Sequence, residues 1–167
     1  MEKKVVGVVM GSDSDLAVME EAINMLTELK IGFEVLVASA HRSPERTAHY
    51  SRSAIDRGIE VIIAGAGHSA HLAGVIASHT PLPVIGVPIN SSPLSGLDAL
   101  LSTVQMPPGV PVAAMAVGKG GAKNAALFAA EILANKYPEI RNEIIAFRNK
   151  LAQDLIKKSK KIEEQYG

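Results

Sequence analysis

Two short polar stretches hold the residues best suited to chemistry: Met10-Gly11-Ser12-Asp13-Ser14-Asp15 and Ser39-Ala40-His41-Arg42-Ser43-Pro44. The first sets hydroxyls and carboxylates side by side. Free backbone amides and Ser hydroxyls at a helix start form a phosphate site, and carboxylates accept hydrogen bonds from sugar hydroxyls. Capping accounts for one or two of these four polar residues, because Ser and Asp are preferred caps and acids suit a first helical turn. Four in a row after Gly11 exceed that need. The second stretch has a His beside an Arg. Imidazole is the side chain most easily poised for proton transfer near neutral pH, and guanidinium offers a planar fork to phosphate oxygens. The plain alternative, a polar loop His beside a surface Arg, stays open at this level. Read together, the stretches point to a phosphorylated, sugar-bearing small molecule and proton transfer.

A third loop, Gly65-Ala66-Gly67-His68-Ser69-Ala70-His71-Leu72, formally fits the Gly-x-Gly-x-x-Ala dinucleotide fingerprint. It follows the third predicted strand rather than the first, and the next strand runs into Pro88-Ile89-Asn90 with no acid to hold a ribose. It is better read as a Gly-rich turn that brings backbone amides close to a ligand anion. His41, His68 and His71 do not have diagnostic metal-ligand spacing, and nothing supplies a fixed carboxylate or thiolate nearby. No metal is therefore expected. Gly118-Lys119-Gly120-Gly121 lacks the Walker spacing and its Lys-Ser/Thr pair, and reads as a turn with Lys119 a modest ligand candidate. Gln105-Met106-Pro107-Pro108-Gly109-Val110-Pro111 reads as a rigid connection.

These loops need elements to hold them. Five apolar runs read as strands: Val5–Met10, Phe33–Ala38, Val61–Gly65, Val84–Val87 and Pro111–Val117. Helical periodicity fills the gaps over Leu16–Lys30, Pro44–Arg57 and Ala70–Ser78, with a further short helix at Gly96–Val104 and an Ala-rich one at Gly120–Asn135. Alternating β and α elements predict a parallel sheet with right-handed crossovers. Each polar loop then leaves the carboxyl end of a buried strand, the edge where open α/β sheets bind ligands. After Pro138, Glu139–Gln165 carries one apolar stripe (Ile140, Ile144, Phe147, Leu151, Leu155, Ile162) on an otherwise Lys- and Glu-rich helix. A striped helix must bury its stripe somewhere. The five βα units are complete without it, which favours a neighbouring subunit. The division expected is a catalytic domain over 1–137 and a helical arm over 138–167.

Composition agrees with this frame. At 167 residues one domain is the natural size, and 47% apolar residues with only 4% aromatics describe a core of Val, Ile, Leu and Ala. Seventeen basic and seventeen acidic residues cancel, which gives no electrostatic case for nucleic acid or an anionic membrane. The absence of Cys excludes disulfides and thiolate chemistry. Met1-Glu2-Lys3-Lys4 lacks the long apolar region of a signal peptide, and no run approaches transmembrane length, so a cytoplasmic protein is expected.

Six motifs stand in order: Met10–Asp15, Ser39–Arg42, Gly65–Gly67, His71-Leu72, Leu82–Pro88 and Gln105–Pro107. From about Val5 to Leu133 the chain resembles the class I N5-carboxyaminoimidazole ribonucleotide mutases of purine biosynthesis. The resemblance implies a flavodoxin-like three-layer α/β/α sandwich and a homo-octamer with shared active sites. It implies transfer of carboxylate from the exocyclic nitrogen to ring C4 of aminoimidazole ribonucleotide, without metal, ATP or organic cofactor. Carried over by motif, His41 is the general acid/base. Ser12, Ser39 and Arg42 match positions that hold the phosphate, and Asp15 one that holds the ribose. Ala66, Gly67, Ala70, His71 and Leu72 fall in the loop around the migrating carboxylate. The family usually has Gly-Gly-Ala-Ala-His-Leu-Pro-Gly there, where this chain has Gly67-His68-Ser69-Ala70-His71-Leu72-Ala73-Gly74. Two other functions share the fold: a class II lyase that carboxylates aminoimidazole ribonucleotide directly with CO2, and a non-enzymatic nucleotide or flavin-binding module.

Overall fold

Val6–Met10 (β1) has no polar side chain and is buried along its whole length, as a central parallel strand covered on both faces must be. The computed structural model, which describes residues 3–167, places it second in a five-stranded, all-parallel sheet. The other strands are β2 (Phe33–Val37), β3 (Val61–Gly67), β4 (Val84–Ile89) and β5 (Ala113–Ala114), in the spatial order β2-β1-β3-β4-β5. The order reverses direction between β1 and β3, and this is the point at which a doubly wound sheet opens a crevice at its carboxyl edge.

Alternation along each strand divides the core between two layers of helices. Val6, Val8, Met10, Val61, Ile63, Ile85 and Val87 face α1 (Leu16–Glu28) and α5 (Lys119–Leu133). Val9, Ile62, Ala64 and Val84 face α2 (Pro44–Ser53) and α3 (Leu72–Ala77). Each fully buried Leu, Ile, Val or Met contributes about 1.5–3 kcal/mol. The fold is thus a flavodoxin-like α/β/α sandwich. Ala122, Ala125, Ala126, Ala129 and Ala130 bury α5 against the sheet and α1, so the Ala-rich face is spent inside the subunit.

Several boundaries differ from the sequence reading. β5 is two residues long instead of Pro111–Val117. Its neighbour explains this. The carbonyls of Gly86 and Pro88 accept Met115 N–H and Gly118 N–H, each at 2.9 Å, so the chain stays beside β4. Pro88 has no N–H to return, and the ladder cannot extend. β2 is an edge strand, not a buried one: Val35 and Val37 are each 45% exposed. The helix α4 (Leu97–Val104) packs on β4, yet exposes Leu97, Leu101 and Val104, with Leu94 exposed just before it.

The last helix, α6 (Pro138–Tyr166), begins inside the core and ends outside it. Ile140 and Ile144 are buried with α5 and Phe147 packs beside them, whereas Leu151, Leu155 and Ile162 are exposed. Its start is pinned at the amino end of the central strand β3. The carboxylate of Glu60, just before β3, accepts hydrogen bonds from Tyr137 Oη and from Lys136 Nζ (2.9 Å). Partial burial pushes the Glu60 carboxyl up, but these two bonds and the nearby lysines outweigh it and hold it below the ordinary 4.5. A depressed folded-state value adds stability above the unfolded value, and that stability is lost as pH falls through the folded one. Glu60→Gln should therefore lower the melting temperature at pH 7, and the gap from the parent should close below pH 4.5. Thermal melts across pH 3–7, by circular dichroism, check this; a gap that does not change with pH counts against the pin.

Candidate active site

At the β1/β3 switch point a cavity of about 560 Å³ opens at the carboxyl edge of the sheet. Four strand-ending loops meet there. The loop after β1 supplies Ser12, Ser14 and Asp15; that after β2 supplies Ser39, His41 and Arg42. The end of β3 supplies Ala66 and Gly67, the turn after it His68 and His71, the start of α3 Leu72, and the loop after β4 Ser91. The sequence-predicted site residues line the cavity except Ala70, which is 2% exposed and turned into the protein, and Lys119, which stands at the start of α5 with its Nζ 3.8 Å from Glu21 and outside the cavity wall.

The β1 loop folds on itself. Ser12 caps a single-turn 3-10 helix, Asp13–Asp15, and Asp15 returns the bond by accepting Ser12 N–H at 3.0 Å. Capping thus engages Ser12 and Asp15, as the plain reading of this loop required. Ser14 Oγ also bonds Ser12 Oγ at 3.0 Å, which leaves a cluster of hydroxyls on the cavity wall. Asp15 is the only charged residue among the described residues that is buried. Burial pushes its carboxyl above the ordinary aspartate value, and the Ser12 N–H, Arg42 and His68 oppose that push. Asp13 faces water; bonds from the Ser12 hydroxyl and the Ser14 N–H hold it below the ordinary value.

Arg42 ties two loops together. Its Nη2 donates to the Gly11 carbonyl at 2.9 Å, and its backbone N–H donates to Ser39 Oγ at 3.1 Å. The first bond fixes the guanidinium beside the β1 loop, Nε donates to Ser39 Oγ at 3.5 Å, and the remaining Nη N–H groups are left for a ligand. Ser39 N–H in turn donates to Ser43 Oγ at 2.9 Å, ahead of the helix-start Pro44.

His41 and His71, thirty residues apart, meet edge to face with ring centroids 5.0 Å apart. His41 Nε2 and His71 Nδ1 are 2.8 Å apart and share a hydrogen bond, donated by whichever ring carries the proton. A proton lost by one imidazole can be replaced through the other. On the far side of the loop, His68 Nδ1 bonds Ser91 Oγ at 3.0 Å. Gly67 makes this contact possible, since a Cβ there would collide with the Ser91 hydroxyl. His68 itself has a left-handed backbone, φ 52°, although it is not glycine.

Ser91 is the one residue in this set that sequence reasoning missed. The signal was present, as Asn90-Ser91-Ser92 is a polar run directly after a buried strand. The described residues contain no cluster of three or more His, Cys, Asp or Glu placed to hold a metal ion. None of their helices is long and apolar enough to cross a membrane.

Comparison with known proteins gives a consistent set of relatives. The AIR carboxylase family profile matches residues 5–154. The N5-carboxyaminoimidazole ribonucleotide mutase of Pyrococcus horikoshii is 55% identical over 98% of this chain and 91% of its own length. The protein of the same name from Thermotoga maritima is 51% identical over 95% of this chain and 92% of its own. The crystal structure of Treponema denticola PurE superposes with a TM-score of 0.84 at 29% identity, covering 95% of this chain and 98% of that one.

Proposed function

The chain belongs to the AIR carboxylase family, and on that footing we propose that it is an isomerase of purine biosynthesis that moves the carboxylate of N5-carboxyaminoimidazole ribonucleotide to ring C4. Relatives sharing about half of its residues over nearly the full length carry that activity in their names. One geometric observation carries the chemistry: His41 is bonded to a second imidazole beside Arg42, in the cavity at the switch point.

In this reading Arg42 and the hydroxyls of Ser12 and Ser39 hold the phosphate, and Asp15 accepts hydrogen bonds from the ribose. His41 protonates the carbamate nitrogen; the C–N bond breaks and releases CO2 beside the ring. Ring C4 attacks the CO2, forming the new C–C bond, and His41 takes up the C4 proton. One imidazole acts first as acid and then as base, so the cycle returns the proton it used. A dry pocket keeps CO2 from escaping between the steps. Ala66, Gly67, His71 and Leu72 form the wall around the migrating group. No cofactor is required by these steps.

The assay that tests this is isomerisation of N5-carboxyaminoimidazole ribonucleotide alone, without ATP, metal or added bicarbonate. Formation of 4-carboxyaminoimidazole ribonucleotide is the expected result. Turnover only of aminoimidazole ribonucleotide with bicarbonate would overturn it in favour of direct carboxylation.

The reading extends to a homo-octamer in the cytoplasm that does not engage nucleic acid. The exposed Leu94, Leu97, Leu101 and Val104 form an apolar face on one side of the subunit. That face adjoins a cleft lined by His71, Gly74, Leu101 and Met106, so it runs up to the cavity through His71. An uncovered apolar face of this kind is an association surface, and a neighbour seated there would close the site. The distal arm of α6, from Arg148 onward, presents Leu151, Leu155 and Ile162 for the same purpose. Light scattering should give a stable symmetric oligomer, and Leu101→Asp should reduce both its size and its activity. A wild-type monomer at micromolar concentration refutes shared sites.

A further inference from the structure

The ligand of the proposed reaction carries two anionic groups, a phosphate and a carboxylate. The charged or chargeable side chains lining the cavity are Asp15, Arg42 and the imidazoles of His41, His68 and His71. Arg42 stands among the Ser12 and Ser39 hydroxyls, the natural phosphate end. His41 and His71 are bonded to each other. His68 is the imidazole left over, and it is held apart from that pair on the opposite partner, Ser91.

Its setting has the marks of a built feature. The backbone at His68 is left-handed, φ 52°, a conformation uncommon for any residue but glycine and one that His adopts more readily than most side chains. Gly67 gives up its own side chain so that Ser91 can reach the ring. With Nδ1 engaged by Ser91, Nε2 is the ring's remaining polar atom, and no hydrogen bond occupies it among the described residues. When the Ser91 hydroxyl donates to Nδ1, the neutral ring carries its proton on Nε2 and offers a donor. A protonated ring offers the same donor with a charge added.

We infer that His68, oriented by Ser91, is a specificity-determining residue that donates a hydrogen bond from Nε2 to the carboxylate of the bound ribonucleotide and so favours carboxylated over uncarboxylated ligand. The inference rests on the isomerase reading above and adds to it a residue that discriminates between ligand forms. It requires no proton to be exchanged with the substrate, which separates His68 from the His41–His71 pair.

The test is equilibrium binding of two ligands to the intact protein by calorimetry: 4-carboxyaminoimidazole ribonucleotide and aminoimidazole ribonucleotide. Two variants are compared with the wild type. His68→Gly removes the imidazole at a position where glycine suits the backbone, so its melting temperature should equal or exceed that of the parent. Ser91→Ala leaves the ring but removes its support. His68→Gly should bind the carboxylated ligand roughly ten- to hundredfold more weakly, the size of a lost hydrogen bond to a charged group, and bind the uncarboxylated ligand as before. Ser91→Ala should shift the same ratio in the same direction by less. Equal weakening of both ligands would assign His68 a structural role and overturn the inference, as would no change in either. A wild type that binds neither ribonucleotide overturns the isomerase reading itself, and is told apart because it precedes any mutation.

Discussion

Replacing His41 with Asn should lower turnover at least about a hundredfold, the ordinary contribution of a positioned general acid/base, or about 2.7 kcal/mol in barrier height. The His41 side chain is exposed on the cavity wall and its recorded bond is to His71, so its loss removes no core contact. The fold should persist, with an unchanged far-ultraviolet spectrum. Asn can still hydrogen-bond but cannot carry a proton from one step to the next. Binding of the phosphate end should also persist, because Arg42 is fixed by the Gly11 carbonyl and Ser39 rather than by His41. The expected pattern is thus a fall in kcat with ligand affinity nearly retained. The measurement is initial-rate isomerisation next to calorimetric binding of ribose 5-phosphate. A folded His41→Asn protein with near-normal rate would remove His41 from the mechanism.

The placement of His41 is legible in the sequence because its signals are local. A short, largely apolar strand (Phe33–Val37), a polar loop and the helix-start Pro44 lie within a dozen positions of one another. The crossover rule then sends every such loop to the same edge of the sheet. What was less legible depends on neighbours distant in sequence. The exposure of Val35 and Val37 follows from β2 lying at the edge, a property of strand order and not of the strand. The brevity of β5 follows from the missing N–H of Pro88 on another strand. Ala70 sits between His68 and His71, both on the cavity, yet turns inward; such a reversal is decided by local backbone angles, including the left-handed His68. Helix α6 carries one stripe in sequence and two environments in space. Ile140 and Ile144 meet α5, and the helix then outruns its own subunit. Periodicity shows that a face is apolar, not what covers it.

Arg42→Ala should weaken ligand binding by roughly 1.5–3 kcal/mol, or about ten- to 150-fold, because charge-assisted hydrogen bonds to phosphate are the strong kind. The guanidinium spends Nη2 on the Gly11 carbonyl and Nε on Ser39 Oγ, which holds it on the cavity wall that Ser12 and Ser14 also line. Removing it costs the ligand its fixed cation and costs the protein a tie between the β1 and β2 loops. The two losses separate by experiment. The tie is a single exposed contact and should move the melting temperature only slightly, whereas the loss of the cation should abolish competitive inhibition by ribose 5-phosphate. Arg46 supplies the control. It lines a smaller recess, about 300 Å³, that shares Ser12, Ser39 and Arg42, but not His41 or His71. A general drop in positive charge would make Arg46→Ala resemble Arg42→Ala; a dedicated clamp leaves it close to wild type. Inhibition that survives in Arg42→Ala, or that falls equally in both variants, would take the phosphate away from Arg42.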